Sequence, residues 1–330
     1  MLEFSAVLII AIALNVYVLT GGADYGGGVW DLAATGPRAG RQRELIAHAI
    51  GPIWEANHVW LILVIVVLFT AFPTAYARIT TSLHVPVTLL LIGIVLRGSS
   101  FVFRSYGGRN DPARRAWGRI FAVSSLITPI WLGVIVGALA SGRIATAAEN
   151  PWDAFIRPWL HPFPFAVGVF ALGLFSFLAA VYLSLESEGD LCEDFRKRAL
   201  ISAGVVAIMA LIVFLLSNDG APQIRSRLAG SWWSWPLQFA TALAAAGAWY
   251  GMWVRRFHLA RRCAVLQVTL IVWGWALSQY PYLVLPYLTI HDSAAPPQTL
   301  QLLIAAVGAG ACLLLPSFYY LFRVFKSHQS

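Results

Sequence analysis

Charge is what this sequence has least of. Only 12% of its 330 residues are Asp, Glu, Lys or Arg, while 59% are hydrophobic; soluble domains carry about 25% charged residues. Cysteine is rare too, and Cys192, Cys263 and Cys312 lie far apart. Without a C-x-x-C pair or a Cys/His cluster there is no case for a cysteine-ligated metal. Three scattered thiols, two of them at or in apolar runs, make no disulfide framework. The opening residues MLEFSAVLII lack both a basic n-region and an A-x-A site, so they read as a first membrane span and not as a cleaved signal. What remains is apolar. A mean hydropathy of +0.71 and runs of about 20 apolar residues mark an integral membrane protein. The runs lack the alternation of a closed barrel, so the spans are helices.

The fold class expected is an all-α polytopic membrane protein of about nine transmembrane helices, at roughly 4–23, 50–72, 79–97, 117–140, 163–184, 199–217, 235–254, 264–288 and 300–324. An odd number puts the termini on opposite sides. The basic residues then choose the orientation. Eighteen of the 23 fall in one alternate set of connections, among them Arg38, Arg41, Arg43, Arg97, Arg104 and Arg109; the other set holds only Arg78, Arg143, Arg157, Arg225 and Arg227. Such asymmetry marks the first set as cytoplasmic, with the N-terminus outside and the C-terminus inside. The same distribution explains the +8 net charge without nucleic acid as a partner. Trp152, Trp159, Trp232, Trp233 and Trp235 on the outer side, and Trp117 and Tyr106 on the inner, form interfacial belts and not a ligand box.

No linker divides the chain, so residues 1–330 form a single integral membrane domain. A faint repeat runs through it: NVYVLTGGADYG at 15–26 is similar to AVYLSLESEGDL at 180–191. Two four-helix halves, about 1–140 and 163–288, with a ninth, peripheral helix at 300–324, would accommodate it, as in parallel-repeat membrane proteins.

Ionisable groups at or within the spans are few: Asp24, Asp31, His48, Glu55, His58, His84, Arg97 and Glu186. Each costs about 2.5–3.5 kcal/mol or more at a helix centre, which makes it a functional candidate. On one continuous helix, His48, Gly51, Glu55 and His58 share a face at i, i+3 and i+4 spacing, with Asn57 on an adjacent face. A helix starting near Arg43 would set Glu55 roughly 18 Å along its axis; one starting at Pro52 would leave it near the surface. A carboxylate in line with imidazoles suits a proton relay. A satisfied helix–helix hydrogen bond, or an acid complementing the helix dipole, suits the same stripe. Lone membrane histidines sometimes ligate heme, which also brings His58 and His84 into view. The glycines around Asp24, in LTGGADYGGGVWD, permit close backbone approach or a loosened helix. No strand precedes them, so their likeness to a dinucleotide loop is noise. Arg97, at the inner edge of the third expected span, either snorkels to headgroups or pairs with Glu55 or Asp24.

Four ordered segments together resemble subunit II of the cytochrome bd-type quinol oxidases of prokaryotes. GGADYGGG stands where the family has a pattern close to DGFDLGVG. GPIWEANHVW matches GPxWxxNxVW with an acid after the first Trp, LRGSSFVFR matches LRGVAFEFR, and YPYLVLPYLTIHDSAAPPQTL is similar to the proline-containing final loop. The likeness covers essentially the whole chain. It implies a subunit in the cytoplasmic (inner) membrane that is not itself the catalytic chain. Its partner, subunit I, would carry hemes b and d and oxidise quinol while dioxygen is reduced to water. Small accessory subunits, membrane lipids and a structural quinone are further partners such a complex accommodates. No cofactor and no metal are expected on this chain. The resemblance assigns Glu55 to a proton path from the cytoplasm, with Asp24, His58 and His48 as neighbours and Arg97 tuning the charge. Trp54, Asn57 and Trp60 match the motif's frame, Trp54 being the candidate for quinone or lipid contact. Two departures stand out: Gly21 and Val102 occupy positions where relatives keep acids. Buried acids and a glycine-broken helix also suit a secondary transporter, and a purely structural subunit is a third reading.

Overall fold

The structure is a computed structural model that describes residues 1–51, 54–106, 112–144 and 150–326. In chain order its elements are α1 (Leu2–Leu32), α2 (Ala39–Ile50), α3 (Trp54–Ala71), α4 (Pro73–Ser82), α5 (His84–Tyr106), α6 (Pro112–Ala140), α7 (Pro151–Phe155), α8 (Pro162–Leu185), α9 (Gly189–Gly220), α10 (Pro222–Gly230), α11 (Ser234–Trp253) and α12 (Phe257–Gln279). The strands β1 (Tyr282–Val284) and β2 (Leu288–Thr289) and the helix α13 (Pro297–Lys326) follow. Pro52, one of the two expected helix starts, and Arg109 of the basic set lie outside the described residues.

Seven helices are long and apolar enough to cross a membrane: α1, α3, α5, α6, α8, α9 and α13. The seventh and eighth expected spans coincide with α11 and α12, of 20 and 23 residues. The first turns of α12 carry His258, Arg261 and Arg262, which lowers its apolar character. Proline sets several starts, at Pro73, Pro162 and Pro222, where its missing N–H costs nothing and its φ suits the first turn.

Four expectations need correction. The first span does not end at residue 23: α1 runs through the glycines to Leu32, so Asp24 sits within a helix. The third span is 84–106 and not 79–97. Pro86 cannot bond back to Ser82 and crowds its carbonyl, and the chain breaks at Leu83 (φ −109°, ψ 24°). Arg97 therefore lies well inside α5. The eighth span stops at Gln279 instead of 288. Pro281 and Pro286 interrupt it, both after cis peptide bonds, and the chain turns into an antiparallel hairpin pairing Tyr282 with Thr289. Finally, His48 lies in the last turn of α2 and Glu55 in the first turn of α3, with residues 52 and 53 outside the described set, so the expected stripe from His48 to His58 is divided between two elements.

Packing is built on small residues. In lipid the hydrophobic effect does little between helices, so van der Waals contact at close range must hold them. Gly26 of α1 lies so near α8 that a Cβ there would stand 2.0 Å from the Phe175 carbonyl oxygen. Gly133 of α6 meets Gly168 of α8 in the same way, at 2.6 Å from its Cα. Around these contacts Tyr17, Tyr25, Phe175, Leu178 and Val206 form the central core. A second core, with Phe72, Val134, Trp159 and Val284, lies by the hairpin, where Ala295 N–H donates to the Ala71 carbonyl at 2.8 Å. Large apolar side chains such as Ile62, Phe69, Leu91 and Leu211 are left exposed, as lipid-facing surface requires.

Ion pairs tie the opposite end together. Arg104 of α5 reaches Asp31 of α1 with two nitrogens, at 3.0 and 3.1 Å, and both side chains are largely buried. Arg38 makes a two-pronged contact to Asp194 of α9 at 2.7 and 2.9 Å. Gln42 donates to the same carboxylate at 2.8 Å and accepts from Arg198 at 2.8 Å, which ties α2 onto the start of α9.

Two outcomes follow for stability, read as the thermal unfolding midpoint of the solubilised protein. Gly26→Ala forces α1 from α8 and costs about 1–3 kcal/mol, whereas Gly204→Ala, whose new methyl meets nothing within 4 Å, is neutral or mildly stabilising. Arg104→Ala strands the Asp31 carboxylate and costs about 3–5 kcal/mol, and the double change Asp31→Asn with Arg104→Gln recovers most of that loss.

Candidate functional site

Helix periodicity brings the polar residues of α1 to one side. Tyr17, Asp24 and Tyr25 stand seven and eight residues apart, two turns of helix, and so point the same way. The three are buried, at 0%, 5% and 1% exposure. α3 crosses them with Asn57 and His58. The Asn57 amide Nδ2 donates to Asp24 Oδ2 at 2.5 Å, and the Tyr17 and Tyr25 hydroxyls share a hydrogen bond at 3.2 Å. The His58 ring lies 6.0 Å from Tyr17, 6.2 Å from Tyr25 and 6.3 Å from Trp54.

Arg97 completes the cluster from α5. It is 1% exposed, so it is no snorkelling residue. Its guanidinium lies 4.7 Å from the centre of the Tyr25 ring and 5.3 Å from that of Phe121, an arrangement that offsets part of the desolvation cost through the ring quadrupoles. Nε donates to Ser125 Oγ at 3.2 Å. Asp24 feels the Arg97 charge and takes its direct hydrogen bond from Asn57. The buried acid and the buried guanidinium thus share the interior between α1 and α5 without a direct ion pair among the described residues. Two polar atoms in this region, Arg97 Nη2 and His58 Nδ1, have no hydrogen-bond partner.

The remaining expected site residues fall elsewhere. Glu55 is in the first turn of α3 and exposed; His48 is exposed on α2. Neither joins the Asp24 cluster. Trp54 packs on Phe101 at 5.7 Å between ring centres and covers Gly98, where a Cβ would meet its ring at 3.1 Å. His84 Nδ1 is at 3.0 Å from the Thr81 carbonyl oxygen, its ring against Phe155. Of the two departures, Val102 is exposed, and Gly21 is backed by Tyr17, whose ring a Cβ would meet at 2.8 Å. The Tyr17 ring fills the space into which a residue-21 side chain would grow.

Sequence reasoning passed over Tyr17, Tyr25, Phe121 and Ser125. The tyrosines carried a usable signal in their seven- and eight-residue spacing around Asp24. Ser125 and Phe121, on a distant helix, carried none. Three aromatic rings crowd His58 and leave no flat face for a macrocycle, so the residues present do not fit a heme there. Among the described residues no group of three or more His, Cys, Asp or Glu side chains is placed to hold a metal ion. What the cluster offers is one buried carboxylate held by a neutral amide, beside a separate hydrogen-bonded pair of tyrosine hydroxyls.

The chain is similar to known proteins over its whole length. A putative cytochrome bd menaquinol oxidase subunit II of Bacillus subtilis (strain 168) is 23% identical over 340 residues, covering 98% of this chain and 97% of the relative. The cytochrome bd-I ubiquinol oxidase subunit 2 of Escherichia coli (strain K12) is 28% identical over 225 residues, 66% of this chain and 56% of the relative. A chain in the structure of bd oxidase from Geobacillus thermodenitrificans superposes with a TM-score of 0.82 at 23% identity, covering 99% of both chains. The family model described as cytochrome bd terminal oxidase subunit II matches residues 2–325. This chain therefore belongs to the cytochrome bd terminal oxidase subunit II family.

Proposed function

We propose that this chain is the heme-free subunit II of a quinol-oxidising bd-type terminal oxidase and that it feeds cytoplasmic protons toward its partner through the Asp24 cluster. The observation that carries the reading is the buried Asp24 carboxylate, held by Asn57 at 2.5 Å beside the fully buried Arg97. Such a charged couple is costly in a membrane and is retained where it has work to do. Reduction of dioxygen to water consumes four protons, and the heme-bearing subunit I, where that chemistry occurs, must receive them through protein.

The arrangement of basic residues supports the direction. Asp31, Asp194 and Glu193 are all met by arginines of the more basic set of connections, the side that the positive-inside rule makes cytoplasmic. With α11 and α12 counted as spans, nine helices leave the N-terminus outside and the C-terminus in the cytoplasm of a prokaryotic inner membrane. Two four-helix halves would pair α1 with α3 and α6 in one and α8 with α9 and α12 in the other, and would meet where α8 packs on α1 and α6.

In this scheme Glu55, exposed on α3, is the collecting acid at the surface, and His48, exposed on α2, is a second candidate. Asn57 orients the Asp24 carboxylate. Arg97 balances its charge so that a proton can arrive and leave without stranding a bare anion. The Tyr17–Tyr25 hydroxyl pair lies on the same face of α1, where Gly21 carries no acid. Trp54 positions His58 and Phe101.

Asp24→Asn in the purified two-subunit complex lowers quinol-supported oxygen consumption about 100-fold, the low end of what loss of a positioned acid–base group costs. Glu55→Gln lowers it less, since water reaches an exposed position. Both variants keep normal heme absorbance. Full turnover in Asp24→Asn with an unaltered heme spectrum overturns the relay and leaves a structural subunit. Asp24→Glu restores part of the rate, which a purely packing role would not produce.

A further inference from the structure

The turn between α11 and α12 contains the one non-glycine residue with positive φ among the described residues. Val254 caps α11, and Arg255 then takes a left-handed conformation (φ 58°). That conformation is unfavourable for a side chain bearing a Cβ. It is held by the Arg256 N–H donating to the Gly251 carbonyl at 2.8 Å and by Arg255 Nε donating to Glu193 at 2.8 Å. The reversal brings Arg256, His258, Arg261 and Arg262 into one short stretch at the start of α12. All four are exposed.

Glu193, the acid that reaches this corner, is already shared by Arg196 and Arg255, both at 2.8 Å. Arg256, Arg261 and Arg262 have no carboxylate within ion-pair distance among the described residues. Arg261 rests its guanidinium 5.5 Å from the Tyr182 ring centre, which fixes its direction and leaves its N–H groups open. Two adjoining cavities lie here and share His258. One, of about 520 Å³, is lined by Cys192, Arg255, Arg256 and Leu259; the other, of about 420 Å³, by Arg261, Arg262 and Val265. The first turn of α12 adds unpaired backbone N–H groups and the positive end of the helix dipole. Three unpaired guanidiniums around a double cavity form a receptor for phosphate oxygens.

The surroundings select what carries the phosphate. Trp253, Val254, Leu259 and Leu266 of the same two helices are 61%, 38%, 38% and 50% exposed, and Trp249 stacks on Trp253 at 5.5 Å. A free anion would fill the basic cavities and leave this apolar strip bare. A phospholipid covers both, with its phosphate in the cavities and its acyl chains along α11 and α12. Basic pockets between membrane helices are suited to anionic headgroups. We propose that the α11–α12 corner is a binding site for one anionic phospholipid, gripped by Arg256, Arg261 and Arg262.

The test uses the intact complex. After detergent exchange, native mass spectrometry of the unaltered complex retains a phosphatidylglycerol- or cardiolipin-class lipid. After delipidation, mixed micelles containing phosphatidylglycerol raise the unfolding midpoint, whereas phosphatidylcholine and inorganic phosphate do not. The triple change Arg256→Gln, Arg261→Gln, Arg262→Gln weakens the apparent lipid affinity about 100-fold, and the corresponding triple change to Lys keeps most of it. Equal stabilisation by phosphatidylcholine or by inorganic phosphate overturns the proposal, as does unchanged lipid retention in the Gln variant. Should the Gln variant fail to assemble, the lipid series on the unaltered complex decides the question alone.

Discussion

The close approach of α1 to α8 is the constraint on which the centre of this bundle depends. Gly26 permits it, with no room for even a methyl group against the Phe175 carbonyl. Because α1 lies that deep, Asp24 and Tyr25 on the same stretch are carried out of reach of solvent. They must then find partners on α3 and α5. The short distance is also why α6 can reach both helices, through Gly133 against Gly168, and present Ser125 and Phe121 to Arg97. In a membrane this is the economical way to join helices, since small residues at an interface gain dispersion contact that apolar bulk would not.

Burial at this depth leaves little freedom for charge. Asp24 and Arg97 stand on different helices, and each would be prohibitive alone. Together, with Asn57, Ser125 and two aromatic faces, they make a satisfied group apart from one guanidinium nitrogen. Asp31 and Arg104 solve the same problem about two turns of α1 away by direct two-pronged contact. The difference between the pairs is chemical. A carboxylate clamped by two guanidinium hydrogen bonds is a fastening, whereas the Asp24 carboxylate takes its hydrogen bond from the neutral Asn57 amide.

Much of the architecture was legible from apolar length, and the failures have specific causes. Spans at 163–184 and 235–254 match α8 and α11 within a residue or so, since nothing polar interrupts them. The third and eighth spans went astray because apolar composition continued through a break: Pro86 displaced one start, and Pro281 and Pro286 ended the other. The first span was expected to end at residue 23, where the glycines permit close approach or a loosened helix; all five glycines of α1 are buried packing surfaces within one continuous helix. At the site, Asp24, Asn57, His58 and Arg97 were visible as anomalies of charge or polarity in apolar sequence. Their grouping was not visible, and neither was the separation of Glu55 and His48 from it, because both depend on how α1, α3 and α5 pack together and not on spacing along one helix.

The sequence by itself determined the membrane class, the helical character, the family and the short roster of polar residues worth attention. Each of these follows from local quantities: hydropathy over about 20 residues, the side on which arginines accumulate, and motif spacing within one helix. Tertiary structure alone decided that Asp24 is buried, that Asn57 and Arg97 are its companions, that Tyr17 fills the space beside Gly21, and that three arginines at the α11–α12 corner are left without acids among the described residues. Those outcomes depend on contacts between helices far apart in the chain. They arise from backbone separations of a few ångströms that no pattern along a single helix encodes.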